Sequence, residues 1–411
     1  IERARGGVKL FGRAFRSGSD SVVTSRDRIA KKLARLEKPV AVLVDDIDRL
    51  STLEIQEVFK LVRLTASFPN LIYLLCFDRS RVEAAFSEHG LPGRSYLEKI
   101  IQLAIDLPAI PSHVLDREIT NAINASLARI EEPGRLDENA WPDLYYEIIR
   151  PLIKTMRDVR RFAIGIYSTV AGLNGELAVA DVLALEAVRI FLPDVFGLFH
   201  SSVAALTGEP PGAYVGPGAE ARSKAQVQAL IAAAGPHDKV VGAMIQRLFP
   251  AAARHVGGGI YGHEWEAGWL REGRVGHRVF LSLYLERTEG AELAAFRRAQ
   301  CAWGLLADQD AFASYVGSLD ADVVEDVVGM LETFEDQFAP AHAVPGSTVL
   351  LNLLDNLPER QRGMFDLGPE MVIGRVVFRL LRAAGEPASL ELAAAVDAIY
   401  PALKSLSSKL D

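Results

Sequence analysis

The first 111 residues alternate between short apolar runs and longer amphipathic stretches. Three runs, 40–44, 71–77 and 100–107, are dominated by valine, leucine and isoleucine. Runs of this length are typical of β-strands that are buried on both faces of a parallel sheet. Apolar residues recur at helical spacing in the stretches between them. The order strand, helix, strand, helix, strand therefore predicts a parallel α/β sheet.

Polar residues mark where the helices of this region begin. Ser25 is placed to cap a helix that runs to about Leu36, and Pro39 ends it. Residues 51–54 (STLE) and 80–83 (SRVE) have the spacing of capping boxes, in which serine and glutamate side chains satisfy backbone N–H groups. We therefore expect a helix to begin at each box.

After Pro111 the strand signal stops and helical periodicity continues to the end of the chain. A loop rich in glycine and proline is predicted over 207–218, with shorter breaks at 257–259, 339–346 and 385–387. The domain prediction has four parts: a basic segment with one helix (1–38), an α/β core (39–111), a helical lid (112–206) and an all-α domain (207–411).

Composition narrows the choice of function. The chain has a formal net charge of -8 and a pI near 5.6, whereas nucleic-acid binders usually carry a basic face. Basic residues cluster only locally, at 3–35 and 150–161, so a local anion site remains open. The two cysteines, Cys76 and Cys301, cannot form a disulfide framework, which fits a reducing cytoplasmic compartment. No run reaches roughly 18 unbroken apolar residues, the length expected of a membrane span.

The strongest chemical signal is the sequence DDIDR at 45–49, directly after the first predicted strand. Carboxylates at the carboxyl edge of a parallel sheet lie where α/β folds bind their ligands. One of Asp45 and Asp46 can hold Mg²⁺, directly or through water, while the other orients an attacking water. The alternative is a solvated acidic turn after a core strand. Asp78 and Arg79 follow the second strand at the same edge, which favours a binding site.

Two further arginine positions suggest phosphate contacts. Arg94 lies on the helix before the third predicted strand, where it either reaches the nucleotide of a neighbouring subunit or is a surface residue, the commoner case. Residues 155–162 read TMRDVRRF, with Thr155 as a helix cap. The three arginines of this helix share one side, and either one of them reaches a phosphate from the lid or they pair with acids.

These segments together resemble the KAP family of P-loop NTPases. The resemblance rests on DDIDR, on FDR at 77–79, on YLEKIIQLAIDLP at 96–108 and on TMRDVRRF, and it extends from about residue 25 to the C-terminus. Residues 275–286 and 357–381 are similar to later helices of the family.

The resemblance implies a site for ATP and Mg²⁺. Asp45 would be the Walker B ligand of Mg²⁺, and Asp46 would occupy the catalytic acid position. Asp78 and Arg79 would lie at sensor 1, and Arg157 at a position like sensor 2 in the lid. Family members act in signalling complexes at membranes and in phage exclusion.

The sequence departs from the family in one respect. The motif G-x-x-x-x-G-K-[ST], whose backbone N–H groups cradle phosphate, does not occur in the 411 residues. The strand that carries this loop normally pairs between the second and third strands predicted here, so we expect an upstream segment. Members of the family often have membrane helices between the two motifs, and the basic start of this chain would suit a cytoplasmic membrane flank.

These observations predict an ATPase that switches a defence or signalling assembly. The expected partners are further copies of the chain or another protein of that assembly, with a membrane contacted through the upstream segment. The expected location is the cytoplasm, with the cytoplasmic face of the inner membrane as a candidate. One alternative is an interaction scaffold that binds nucleotide without turnover. A nucleic-acid motor is disfavoured by the acidic balance.

Overall fold

The computed structural model describes residues 22–88, 92–208, 218–259, 264–354, 368–387 and 389–404. The chain divides into two compact units, Ile1–Ala109 and Ile110–Asp411. No helix of the described residues is long and apolar enough to cross a membrane.

The first unit contains the predicted alternation of helices and strands. Its elements are α1 (Val22–Ala34), β1 (Val40–Val44), α2 (Thr52–Thr65), β2 (Leu71–Leu75), α3 (Arg79–Ser87) and α4 (Gly93–Leu97). β1 and β2 pair in parallel, with Val40 opposite Leu71 and Val44 opposite Leu75. Two predicted strands and their parallel direction are therefore confirmed.

One face of this sheet is covered and the other is open among the described residues. Tyr73 and Leu75 pack against a small core around Phe59. Side chains of the opposite face remain largely in solvent: Leu43 is 63% exposed and Leu74 is 59% exposed. The expectation that these strands are buried on both faces is wrong for this structure, because no described element packs on that second face.

The third predicted strand does not form. Residues 101–111 have no regular secondary structure, and Leu103, Ile105 and Leu107 are 76%, 76% and 91% exposed. A strand requires backbone partners along at least one edge, and the described residues offer none to this segment. The apolar pattern identified a segment suited to a strand, but a strand forms only where a neighbouring strand offers backbone hydrogen bonds.

The helix starts are partly as predicted. Ser51 caps α2, since its Oγ accepts from the N–H of Glu54 and the Glu54 carboxylate accepts from the N–H of Ser51. α1 begins at Val22, so Ser25 lies within the helix and does not cap it. α3 begins two residues earlier than the serine box predicts, because Asp78 is the N-cap and its carboxylate accepts from the N–H of Arg81.

The described residues of the second unit form helices and no strands. The helices are α5 (Ser112–Leu127), α6 (Trp141–Leu144), α7 (Arg150–Leu152), α8 (Met156–Ala171), α9 (Val179–Phe191), α10 (Pro193–Gly197), α11 (Phe199–Thr207), α12 (Ala219–Ala233), α13 (Asp238–Leu248), α14 (Pro250–Ala253), α15 (Glu264–Glu272), α16 (Arg278–Glu286), α17 (Ala291–Leu305), α18 (Gln309–Gly317), α19 (Val324–Met330), α20 (Pro340–Leu353), α21 (Pro369–Ala384) and α22 (Leu390–Ile399).

A single hydrophobic cluster joins these helices. It runs from Leu115 to Leu403 and continues across the predicted boundary at 206/207. Most of the predicted loop at 207–218 lies outside the described residues. The predicted break at 339–346 is wrong, since α20 runs through it. Pro340 takes the first turn, where its missing N–H costs nothing, and burial of this helix accommodates Pro345 in its interior.

Candidate functional site

The acidic pair follows β1 at the carboxyl edge of the sheet. Asp45 continues directly from the strand, and its Oδ1 accepts a hydrogen bond from the backbone N–H of Asp46 at 2.8 Å. Both carboxylates are exposed. This bond occupies one oxygen of Asp45 on the protein side, while the other oxygen remains available to a ligand.

The backbone turns sharply at Asp46. This residue has φ 58° and ψ 32°, the left-handed region that aspartate tolerates better than most residues. The turn leads into a short 3₁₀ helix, Ile47–Arg49, whose first side chain is fully buried. Burial of Ile47 therefore anchors the turn, while the acid before it stays at the surface.

Arg49 is a member of the site that the sequence interpretation did not assign. Its Nη2 lies 3.0 Å from Oδ1 of Asp46, and both side chains are more than half exposed. An exposed ion pair of this kind contributes little to stability, on the order of 0–1 kcal/mol. The i, i+3 spacing within DDIDR is the signal that could have revealed it. The pair can open at low cost when a ligand arrives.

Asp78 and Arg79 follow β2 at the same edge of the sheet. Asp78 accepts hydrogen bonds from the Ser80 hydroxyl and from the backbone N–H of Arg81, and these bonds hold the pKa of its carboxyl below the usual value. The guanidinium of Arg79 lies 3.3 Å from the Asp106 carboxylate. Asp78 therefore stabilises the start of α3 as its N-cap. The ion pair with Asp106 orients Arg79 on an exposed surface.

The register of the sheet brings the two groups to one edge. Val44 is opposite Leu75, so Asp45 and Asp78 both lie just beyond the ends of paired strands. The described residues contain no group of three or more His, Cys, Asp or Glu that could hold a metal ion by itself. Magnesium sites in nucleotide enzymes commonly use one or two carboxylates and complete their shell with water and phosphate oxygens. The exposed carboxylates of this edge fit such a site.

Arg94 lies on α4, close to the body of the first unit. Its Nε is 3.2 Å from Glu98 Oε1, and 78% of its side chain is exposed. The helix lies tight against α3, because a Cβ atom at Gly93 would lie 2.2 Å from the carbonyl oxygen of Glu83. The contact fixes the position of Arg94 and leaves its guanidinium at the surface.

Arg157 belongs to the second unit, in the first turn of α8. Thr155 caps this helix, as expected, and Asp158 completes a capping box that the sequence analysis did not predict. The carboxylate of Asp158 is used by the cap, and Arg157 is exposed with no ion pair among the described residues. Arg161 of the same helix is held instead by the carbonyl of Ile190 at 3.2 Å. Arg160, the third arginine of this helix, is also exposed with no ion pair among the described residues. Arg157 and Arg160 are therefore both available to a ligand, whereas Arg161 is not.

Comparison with known proteins finds similarity over the first part of the chain. Residues 6–173 match the KAP family P-loop domain, which confirms the resemblance for the motifs within this range. The segments 275–286 and 357–381 lie outside the match, and their resemblance stays a prediction. The chain is 30% identical over 200 residues to the phage T7 exclusion protein of Escherichia coli strain K12. The match covers 46% of this chain and 26% of that protein, so the chain spans only a part of its relative. The search of solved structures gave no match.

Proposed function

Since residues 6–173 match the KAP family P-loop domain, we propose that the protein binds and hydrolyses ATP with Mg²⁺ and thereby switches a phage-defence or signalling assembly. The observation that supports this proposal most is the convergence of Asp45, Asp46 and Asp78 on the carboxyl edge of two parallel strands. Ligands of α/β folds bind at this edge.

Each residue of the site has a proposed role. Asp45 holds Mg²⁺, and Asp46 orients the water that attacks the terminal phosphate. Asp78 and Arg79 contact that phosphate, and Arg157 adds a cation from the helical unit. Transfer of a phosphoryl group depends mainly on positioning and on charge stabilisation, which these residue types supply.

The phosphate cradle is the component that these residues do not provide. The 411 residues contain no G-x-x-x-x-G-K-[ST] motif, so the proposal assigns none of them to a phosphate-binding loop of that kind. Magnesium and ATP, when bound, would supply the charge and the scissile bond. The contribution of this chain is the acidic edge that orients water and metal.

The relative supports the biological setting. The relative that is 30% identical over 200 residues is named for the exclusion of phage T7. This similarity favours a role in phage defence over a role in signalling. Arg94 is exposed enough to meet the nucleotide of a neighbouring copy, so we include self-association in the proposal. Membrane attachment and a position at the inner membrane belong to the proposal as well.

The proposal is tested by Mg²⁺-dependent ATP turnover of the complete gene product, wild type against Asp46→Asn. The substitution keeps the size and the left-handed backbone while it removes the charge that orients water. We expect turnover to fall about a hundredfold or more, with nucleotide binding retained.

Glu57→Gln is the matched control, because it makes the same acid-to-amide change on the exposed face of α2. It should retain wild-type turnover. If the wild type binds ATP and neither it nor Asp46→Asn hydrolyses it, the catalytic role of Asp46 is excluded. The protein would then be a nucleotide-bound scaffold.

A further inference from the structure

A cavity of about 260 Å³ lies in the second unit, between α6, α13 and the segment 265–276. Its volume is just below the range of about 300–1,000 Å³ that is typical of ligand pockets, so it suits a small ligand. None of its lining residues has a role in the proposed nucleotide site. The lining residues on which a ligand would depend are Asp143, Arg247, Trp265, Trp269, Arg274 and Gly276.

Two tryptophans of α15 form part of the wall of this cavity. Trp265 and Trp269 are four residues apart, so their side chains lie on the same face of the helix. Trp265 is 55% exposed, although tryptophan is usually buried over most of its surface. A half-exposed indole ring at a cavity offers its face to a ligand, and that face attracts cations.

Gly276 keeps the space beside these rings open. A Cβ atom at this position would lie 3.8 Å from Cδ2 of Trp269 and 2.9 Å from the carbonyl oxygen of Leu248. The second distance is too short for a side chain without a shift of the backbone. Glycine therefore allows the chain to pass close to the end of α13 while the cavity remains unfilled.

A π-helical turn supplies the carboxylate that holds Arg247. The turn, Tyr145–Ile149, connects α6 with α7, and turns of this kind are frequent at functional sites. Glu147 accepts from Nε and Nη2 of Arg247 at 3.0 and 2.8 Å. Oδ2 of Asp143 lies 2.7 Å from Nη1 of the same guanidinium, and 47% of the Asp143 side chain is exposed. A ligand in the cavity can therefore reach the Asp143 carboxylate.

Arg274, the second arginine of the cavity, is likewise held by acids. Its Nε lies 2.8 Å from Oδ2 of Asp181, and its Nη1 lies 3.6 Å from Asp137. Burial raises the pKa of the Asp181 carboxyl, so this acid is left out of the charge balance. The three remaining carboxylates, of Asp137, Asp143 and Glu147, exceed the two guanidiniums by one. The cavity is therefore negative although two arginines line it.

We propose that this cavity binds an alkylammonium cation, a positively charged nitrogen that carries methyl groups. The face of an indole ring carries the negative part of its quadrupole, and aromatic side chains recognise methylated ammonium groups for this reason. The excess carboxylate adds a second attraction. The same excess disfavours an anion such as a nucleotide. The cation belongs either to a free small molecule or to a methylated lysine of a partner protein, which present the same group.

The test compares choline with 3,3-dimethylbutan-1-ol, which has the same shape with a neutral carbon in place of the nitrogen. Saturation-transfer difference NMR of the methyl protons measures the binding of each compound to this chain. We expect choline to bind about tenfold more tightly or better. Equal binding would mean that the cavity is an apolar crevice without recognition of charge. That outcome, or no binding of choline, would overturn the proposal.

Trp265→Ala is the first variant, and it should weaken choline binding about tenfold. Trp265 is half exposed, so the fold should be retained, which far-ultraviolet circular dichroism checks. Tyr400→Ala removes another aromatic ring of the second unit with 57% exposure, and it should bind choline as the wild type does.

Asp143→Asn is the second variant, and it removes one carboxylate while Glu147 still holds Arg247. Choline binding should weaken about two- to fivefold, as expected for a partly exposed charge. Asp397→Asn makes the same change at an exposed position of α22 and should have no effect. If Trp265→Ala and Asp143→Asn both bind choline as the wild type does, the cation lies elsewhere and the assignment fails.

A short peptide with one trimethyl-lysine distinguishes the two sources of the cation. Tighter binding of the peptide than of choline supports a partner protein, and tighter binding of choline supports a small molecule. The acids of the proposed nucleotide site lie in the first unit, whereas this cavity lies in the second. Asp46→Asn should therefore leave choline binding unchanged, and either proposal can fail without the other.

Discussion

The two units of the chain differ in how completely they cover their own apolar side chains. In the second unit, large residues such as Phe162, Phe199 and Phe249 are at most 1% exposed within one continuous cluster. In the first unit, Leu43 and Leu74 lie opposite each other in the sheet and remain more than half exposed. The second unit is closed by its own helices, whereas the sheet of the first is covered on one face.

The acids of the proposed nucleotide site lie in the less covered unit. Asp45, Asp46 and Asp78 extend from a sheet that has only one packed face among the described residues. The helical unit provides most of the buried area and hence most of the expected stability. The comparison teaches that stability and candidate chemistry are located in different parts of this chain, and that each can be perturbed separately.

The largest expected effect is the loss of stability after a substitution in the core of the second unit. Phe162→Ala removes a ring that is 1% exposed, and we expect the free energy of unfolding of the second unit to fall by about 3–5 kcal/mol. All four tryptophans, Trp141, Trp265, Trp269 and Trp303, belong to this unit. Urea unfolding followed by tryptophan fluorescence therefore measures the loss directly.

Leu43→Ala is the counterpart in the first unit. Its side chain is 63% exposed, so we expect a change of roughly 0.5 kcal/mol or less, measured by far-ultraviolet circular dichroism. A loss comparable with that of Phe162→Ala would mean that this face of the sheet is covered in solution. The contrast between the two units would then disappear.

A pH effect of intermediate size is expected in the second unit. His277 is 8% exposed, and its Nδ1 accepts from the backbone N–H of Val279 as the N-cap of α16. Burial, with a smaller effect from Arg278, lowers its pKa from 6.5 to about 4. Between these values the unfolded chain binds more protons, so stability falls as pH decreases from 7 to 4.

We expect this histidine to account for roughly 3 kcal/mol of that loss. His277→Asn retains a capping side chain without the titration, so its stability should fall less over the same range. Urea unfolding at a series of pH values measures the difference, and His113→Asn, at an exposed position of α5, should keep the wild-type profile. Parallel profiles for wild type and His277→Asn would exclude the role assigned to burial of His277.

A smaller effect than that of His277 is expected when the same motif is compared in the two units. Ser51 and Thr155 each form a capping box, at the start of α2 and of α8. Replacing either by alanine should cost about 1 kcal/mol. Hydrogen exchange read by mass spectrometry should rise in the helix that lost its cap. Since the two hydrophobic clusters share no residue, a rise in both helices from either substitution would contradict independent behaviour of the two units.

Features set by neighbouring residues could be predicted from the sequence. Both strands, the Ser51 box and the Thr155 cap depend on residues within one turn or one run, and all four were found as expected. The position of Asp45 at the carboxyl edge of the sheet followed from its place directly after a strand of a parallel sheet. The roles of the acids in catalysis stay predictions.

Features that depend on distant partners could not be predicted. The segment 100–107 has the apolar pattern of a strand, yet pairing requires a neighbour that no local pattern reveals. The helix through Pro345 forms because its other side chains are buried by α21, a contact distant in sequence. The left-handed backbone of Asp46 likewise depends on burial of Ile47, which periodicity did not indicate.

The left-handed turn at the end of β1 also bears on which carboxylate can stand there. A residue in that region of backbone space loses about 1–2 kcal/mol relative to the usual region, and short side chains that bond locally, such as aspartate, bear this loss best. Glutamate, one methylene longer, lacks that local bonding. The backbone conformation at Asp46 thus favours aspartate over glutamate, although both carry the same charge. It therefore also sets how far the carboxylate extends toward a ligand.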